Sequence, residues 1–411
     1  MSPPALRSVA EHQRHVAALL SRPGGVEAWP RETVPLDEAR GRVLAEAVVS
    51  PEPLPAFDNS GMDGYAVRAS DVAGASAEAP VTLPVAGDIP AGAPIGDLEP
   101  GTTLRIMTGA PVPRGADAVV EVEVTDGGTE SVAITDSRAA GSFVRRAGSD
   151  IAVGQEVLSA GAVLGPAQLG VLAALGVDRV VVRRRPRVLV VSTGSELAED
   201  PAPGSGQIRD ANGVLLAAAV EEAGAVAVRR LWVADDVPTF LALLDAETAD
   251  GEVDLVLTSG GVSAGAYEVV KDGLGPRGVE FVKVAMQPGM PQGSGLVGGV
   301  PVVCLPGNPV SALASYEVFV RPALRAAFGH PLPHRPVVTA TLTESISPLA
   351  AKRQWRRARL DRVAGTVTPW GPPGSAFLGW FAGADALIDV PPGSDALAPG
   401  DTVHVWDLAN R

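Results

Sequence analysis

The chain has 411 residues, 46% of them hydrophobic but only 4% aromatic, so its cores must be built from Ala, Val and Leu. That length suffices for about two to four domains. A net charge of −14 excludes a general nucleic-acid groove, which needs a basic face, and no apolar run reaches the roughly 18 residues of a membrane span. Glu11, His12, Arg14 and His15 stand ahead of any long apolar run, unlike a secretory leader, so a cytoplasmic protein is expected.

Residues 5–20 read as an amphipathic helix, with Leu6, Val9, Val16, Leu19 and Leu20 on one face and Glu11, His12 and Arg14 on the other. Both histidines are expected to face solvent, because no third ligand stands near them for a metal. A short strand and a helix starting near Asp37 are expected over 33–49. Asp58 and Asp63 then flank a turn rich in Asn, Ser and Gly. Such residues cap their own backbone, and two carboxylates around a turn can equally present oxygens to a hard cation. Short β-prone runs at 81–85, 103–107, 118–124 and 131–134, spaced by Gly, Pro and Asp, predict a small barrel or sandwich inserted in the chain. Arg145 and Arg146 stand close to Asp150, either as a phosphate-binding pair or as a surface ion-pair cluster. Residues 161–175, opened by Pro166, predict a helix, 177–182 a strand, and 183–187 a solvated basic joint.

From Arg187 strands and helices alternate. Strands are expected at 188–191, 226–233, 253–257, 281–285 and 300–305, and helices at 212–223, after Pro238, and at 310–328. This is the pattern of a doubly wound α/β domain. The strand at 253–257 runs into Thr258-Ser259-Gly260-Gly261-Val262-Ser263, with Glu268 and Lys271 following at helical spacing. One Gly-rich turn is weak evidence for a ligand. However, the loops Thr193 to Glu196, Asp235-Asp236, Ser259 to Gly265 and Pro306 to Pro309 all follow strands. The carboxyl ends of parallel strands line one edge, where such sheets bind ligands. Cys304, inside an apolar run, is expected in the core. Residues from Pro336 onward read as a separate β-rich unit, with strands at 337–342, 354–360, 367–368, 386–390 and 402–406.

An anionic ligand at that edge would meet Glu196, Asp235, Asp236 and Glu268. Each like-charge pair about 4 Å apart costs about 4 kcal/mol at an effective dielectric of about 20, whereas a helix N-terminus returns at most about 2 kcal/mol. Only Lys271, Lys283 and Lys352 are lysines among the 33 basic residues. A divalent cation resolves the conflict, and carboxylates with ligand phosphates suit Mg²⁺. No nucleophile–His–acid triad and no Gly-Lys-Ser/Thr phosphate loop appears.

The ordered set Phe57-Asp58-Asn59-Ser60-Gly61-Met62-Asp63-Gly64-Tyr65-Ala66, Met107-Thr108-Gly109-Ala110-Pro111, Ser192-Thr193-Gly194-Ser195-Glu196-Leu197, Ser259-Gly260-Gly261-Val262-Ser263 and Pro306-Gly307-Asn308-Pro309-Val310-Ser311 resembles the molybdopterin molybdenumtransferase family (MoeA; the E domain of gephyrin). The resemblance runs from about residue 8 to 407. It implies a multidomain α/β plus β fold: an N-terminal linker domain of 1–50 with 147–182, an inserted β-domain of 51–146, a molybdopterin-binding α/β domain of 183–330 and a C-terminal β-barrel-like domain of 335–411. It also implies an elongated homodimer. The implied reaction ends molybdenum-cofactor synthesis: adenylylated molybdopterin and molybdate enter, Mg²⁺ assists loss of AMP, and molybdenum joins the dithiolene sulfurs. An adenylyltransferase and recipient molybdoenzymes are the implied protein partners.

Carried over by motif, Asp63 and Thr108 are residues the inserted domain lends to the reaction, across the dimer. Arg145 and Asp150 match an Arg…Asp element. Glu196, Asp236 and Glu268 are the acidic residues around the metal and the pterin phosphate. The loop of Ser259, Gly260, Gly261 and Ser263 holds the pterin's phosphate end, Pro306, Gly307, Asn308 and Pro309 are further cofactor-binding residues, and Ser311, Arg357 and Ser375 belong to a molybdate pocket. The chain departs from the pattern where the family often has Asp, at Ala266 and Glu268, and at Gly379-Trp380, where it has a Ser pair. Gln287 and Met290 replace two lysines expected beside the oxyanion, which leaves Lys283 as the nearby cation. Adenylylation of molybdopterin, or a non-catalytic pterin-binding scaffold, are the alternative functions.

Overall fold

The computed structural model describes residues 6–198, 204–262 and 268–409. Helix α1 (Val9–Leu20) starts later than the expected residue 5, because Ser8 caps it. Ser8 accepts from the Glu11 N–H while the Glu11 carboxylate accepts from the Ser8 N–H, a reciprocal cap. The expectation for its histidines fails at His12, which is 0% exposed and meets the Phe319 ring edge-on at 4.6 Å. Neither of its ring nitrogens has a hydrogen-bond partner among the described residues. Positions 9, 12, 16 and 20 form one buried stripe, so His12 falls inside the apolar face rather than beside it.

Burial, then the nearby Arg7 and His15, push the His12 pKa down to about 3. The ring is therefore neutral when folded and takes a proton when unfolded, below about pH 6.5. Stability from this residue is complete above that pH and is lost as pH falls toward 3. Comparing urea midpoints at pH 7.5 and 5 should show wild type losing about 2 kcal/mol more than a His12→Leu variant. Equal losses would mean that the ring is not buried neutral.

The chain divides into two compact units, one of Val34–Arg40 and Glu46–Val180, the other of Met1–Thr33, Gly41–Ala45 and Val181–Arg411. In the first, five strands form one sheet: β1 (Gly64–Val67), β2 (Val81–Ile89), β3 (Thr103–Ile106), β4 (Ala118–Glu121) and β5 (Ser131–Ile134), in the order β4-β1-β3-β2-β5. The chain leaving β4 returns to β5 through Thr135 N–H to Val124 O and Asp126 N–H to Ala133 O, which closes the sheet into a small barrel. Tyr65, Val67, Leu83, Val120, Val132 and Ile134 fill it. Gly64 is required there, because a Cβ would lie 2.0 Å from Val120 O. Helix α2 (Pro166–Ala174) follows, with Pro166 in its first turn as anticipated. The helix expected near Asp37 is a single 3-10 turn, Leu36–Glu38.

The second unit contains the α/β domain. Its sheet comprises β6 (Arg187–Thr193), β7 (Val226–Val233), β8 (Leu255–Ser259), β9 (Glu280–Lys283), β10 (Pro291–Val297) and β11 (Val300–Leu305), in the order β7-β6-β8-β11-β10-β9. The first four strands are parallel, and β10 runs antiparallel to both β11 and β9. Alternate residues go to opposite faces. Val188, Val190, Leu255 and Leu257 pack on one side, and Leu189, Val191 and Val256 on the other. Helix α3 (Ala211–Glu222) lies on the first face, and α4 (Val237–Thr248) and α5 (Val269–Leu274) on the second. Cys304 is buried as expected, its thiol pushed up to about 12 by burial.

Three readings of this region change. Strand β10 was not anticipated, because its Gly and Ser residues look like a loop. In place they are a packing requirement, since a Cβ at Gly293 would lie 2.6 Å from the Phe281 ring and one at Gly295 would lie 2.5 Å from Gly278 O. The expected helix at 310–328 is α6 (Pro309–Ser315), a π-helical turn Tyr316–Val320, and α7 (Arg321–Ala327). Pro322, at the start of α7, has no N–H to give the preceding turn. The basic joint is solvated only in part, with Arg185 exposed. Arg183 is 5% exposed, and Arg184 pairs with the buried Asp254 at 2.9 Å.

The chain ends in a barrel of β12 (Val337–Leu342), β13 (Arg353–Asp361), β14 (Thr366–Pro369), β15 (Ala386–Val390) and β16 (Thr402–Asp407). Their order is β13-β14-β12-β16-β15, and β13 pairs again with β15 to close it. A two-residue strand, Met286–Gln287, leaves the α/β domain and pairs in parallel with Arg353 and Gln354 of β13.

Candidate functional site

The parallel strands β6, β7, β8 and β11 end at one edge of the sheet, and the four loops that follow them are the polar loops singled out in the sequence. They enclose a pocket of about 470 Å³. Gly260 and Gly261 have positive φ, +99° and +62°, and a Cβ on them would lie 2.4 Å from Thr193 O and 2.9 Å from Val270 N. A Cβ on Gly307 would come within 3.3 Å of Gly260 Cα. Two loops therefore meet backbone against backbone, and that contact is why this edge needs glycine.

Glu196, Glu268, Ser259, Gly260, Gly261, Pro306, Gly307, Asn308, Pro309 and Ser311 all line this pocket. Ser263 lies outside the described residues. Ser259 Oγ and Asn308 Oδ1 are buried without a hydrogen-bond partner among the described residues. Such atoms are costly unless something polar reaches them, and both residues line the pocket.

Asp236 does not join the wall. Its Oδ2 accepts from the Thr239 N–H at 2.9 Å as the N-cap of α4, and the hydrogen bonds from Thr239 lower its pKa. Asp235 lines the pocket instead and accepts from the Ser195 N–H at 2.8 Å. Sequence reasoning missed the segment before α3. Arg209, Asp210 and Asn212 line the pocket, and Asn212 Nδ2 donates to Gly307 O at 2.7 Å. The signal was an Asp followed closely by Asn at a helix start, where both types act as caps.

A second, smaller cleft of about 30 Å³ lies where the barrel meets Gln287. Arg357 and Ser375 line it, so the structure separates them from Ser311 in the larger pocket. The Arg357 guanidinium donates to Gly374 O at 2.8 Å and to Pro372 O. Its Nε, with Gln354 Nε2 and Trp355 Nε1, is a buried donor with no partner among the described residues. No carboxylate among the described residues lines the cleft. Gln287 does line it, whereas Met290 and Lys283 line neither cavity. A space of this size suits a small oxyanion or about two waters.

In the other unit Asp63 and Thr108 come together. Asp63 Oδ1 accepts from the Thr108 N–H at 2.7 Å and from its hydroxyl at 2.9 Å, and these bonds lower the carboxyl pKa. Asp58 turns elsewhere, accepting from the Ala147 N–H at 2.8 Å and pairing with Arg146 at 2.6 Å. The two carboxylates therefore do not form a cation site with each other. Arg145 and Asp150 are exposed and make no ion pair with each other.

Among the described residues no group of three or more His, Cys, Asp or Glu side chains is arranged to hold a metal by itself. The donor set of the larger pocket nevertheless fits Mg²⁺. That ion commonly takes one or two carboxylates, several waters and a substrate phosphate rather than an all-protein cage.

Three family models match the chain in order. They are described as the MoeA N-terminal region (domain I and II) at residues 7–176, a probable molybdopterin binding domain at 189–326 and the MoeA C-terminal region (domain IV) at 339–408. The chain is 54% identical to molybdopterin molybdenumtransferase 2 of Mycobacterium tuberculosis, over 98% of this chain and 100% of that protein. It is 33% identical to the molybdopterin molybdenumtransferase of Bacillus subtilis, over 91% of this chain and 89% of that one. A solved molybdopterin biosynthesis MoeA protein from Pyrococcus horikoshii superposes with a TM-score of 0.81 at 31% identity, covering 98% of this chain and 99% of that chain.

Proposed function

The chain belongs to the molybdopterin molybdenumtransferase family, and from that premise we propose that it transfers molybdenum from molybdate into adenylylated molybdopterin with release of AMP. The observation that supports this most is the pairing of two unlike cavities in one unit. One is a loop-lined acidic pocket of about 470 Å³, large enough for an organic ligand. The other is a cleft of about 30 Å³ that, among the described residues, has no carboxylate in its lining and has buried donors without a partner. The first suits the pterin and its phosphates, the second a tetrahedral oxyanion. Adenylylation of molybdopterin is not favoured, since relatives matching across the whole chain carry the transferase name.

In this reading the amides of Ser259 to Gly261 and of Gly307 and Asn308 hold the phosphate end of the pterin. Arg357 and Ser375 hold the oxyanion, with Ser311 on the pterin side. Glu196, Glu268 and Asp235 are the carboxylates that a Mg²⁺ ion would share with the ligand, Asp235 taking the role first expected of Asp236. When bound, Mg²⁺ supplies positive charge that neutralises phosphate oxygens beside those carboxylates. Asp63 and Thr108 act in the reaction as one hydrogen-bonded pair, and Arg145 and Asp150 serve it from the same unit. The protein works as a cytoplasmic homodimer.

The test combines purified protein, adenylylated molybdopterin, molybdate and Mg²⁺. Release of AMP with molybdenum retained in the pterin supports the transferase. Binding of the nucleotide without AMP release would make the protein a scaffold. A chelator should abolish AMP release and weaken adenylylated-pterin binding in calorimetry, with both restored by added Mg²⁺. Unchanged binding under chelator would remove the metal from this reading.

A further inference from the structure

The wall of the larger pocket carries Glu196, Asp210, Asp235 and Glu268 but only one basic side chain among the described lining residues, Arg209. Lys271 and Lys283, the two cations the sequence offered, do not line it. We infer that Arg209 is the residue that selects the anionic, phosphate-bearing form of the ligand. This inference rests on the reading that adenylylated molybdopterin occupies the pocket.

The backbone carries Arg209 to the rim from two fixed elements. On one side, Leu197 and Ala198 pair in parallel with Ile208 and Arg209, and the Ile208 N–H donates to Glu196 O at 2.7 Å. On the other, Asp210 immediately caps α3 by accepting from the Gly213 N–H at 2.9 Å. Arg209 therefore cannot drift along the chain, although its side chain is exposed. Its planar fork can take two phosphate oxygens at once. Asp210 is held by the Gly213 N–H and Asp235 by the Ser195 N–H. They are fixed anions beside any phosphate, and in this wall a guanidinium is the protein's own counter-charge. Without it a phosphate would meet four carboxylates with only Mg²⁺ and backbone amides to oppose them. An uncharged ligand would bind equally well with or without Arg209, so this residue divides charged from neutral ligands.

Calorimetry on the full chain with Mg²⁺ tests this, using AMP, adenylylated molybdopterin and adenosine as probes. For Arg209→Gln the Kd for AMP and for adenylylated molybdopterin should rise about 10- to 100-fold, the range for losing a hydrogen bond to a charged group. Any binding of uncharged adenosine should be unchanged. Arg209→Lys should fall between, keeping the charge and losing the fork. Lys271→Gln should match wild type. In turnover the loss should appear in KM more than in kcat. Equal AMP affinity in wild type and Arg209→Gln, or an equal loss for adenosine, would overturn the inference while leaving the transferase reading intact. Wild type that binds AMP in an Arg209-dependent way but never releases AMP from the adenylylated pterin would uphold the phosphate contact and overturn the transferase instead.

Discussion

Replacing Glu317 with alanine is expected to lower stability by about 3–5 kcal/mol, the cost of leaving buried charges without their partner. Glu317 is 5% exposed and sits in the π-helical turn. It accepts from Arg335 Nε and Nη2, both at 2.9 Å, and Arg321 Nε lies 3.5 Å away. Arg335 also pairs with Glu222 at 2.5 Å. Burial and then the like charges of Arg321 and Arg335 push the Arg325 pKa down to about 10, so this cluster is already rich in cations. Without Glu317, three guanidinium groups would face Glu222 alone. Urea unfolding should show the midpoint fall with an unchanged slope. Glu317→Gln keeps the shape and should lose less. A Glu317→Ala midpoint within error of wild type would mean that water reaches the cluster.

The second large effect is on activity. Asp63→Ala should fold with an unchanged unfolding transition, because Asp63 and Thr108 are both exposed and water can replace their bonds. AMP release should nevertheless drop by at least about 100-fold, the lower range for a group acting directly in proton transfer or its positioning. Thr108→Val removes one of the two donors to Asp63 and should give a smaller loss, since the Thr108 N–H still reaches the carboxylate at 2.7 Å. Full activity of Asp63→Ala would remove the pair from the reaction.

Much of this was legible in the sequence because strand ends and glycines carry their own geometry. The loops at Thr193, Ser259 and Pro306 could be placed on one edge from strand order alone, and Gly260 and Gly307 mark where two backbones touch. What stayed hidden depends on partners distant in the chain. His12 looks polar until its helix turn is phased against Phe319. The glycines of β10 look like a loop until β9 and β11 flank them. Arg209 reaches the pocket only because a two-residue ladder with Leu197 and Ala198 carries it there. Asp235 and Asp236 were indistinguishable by type. A single residue of offset turned one carboxylate to the pocket wall and the other to a helix cap.

The short strand Met286–Gln287 limits how this protein can be recombined with its relatives. It belongs in sequence to the α/β domain and in hydrogen bonding to the barrel, where it lies beside Arg353 and Gln354. A chimaera joined in the loop near residue 330 would inherit the barrel from one parent and this strand from the other. The Gln287 and Gln354 pair at the small cleft would then be split between two ancestries. Transplanting the barrel intact means carrying the segment around Gln287 along with it.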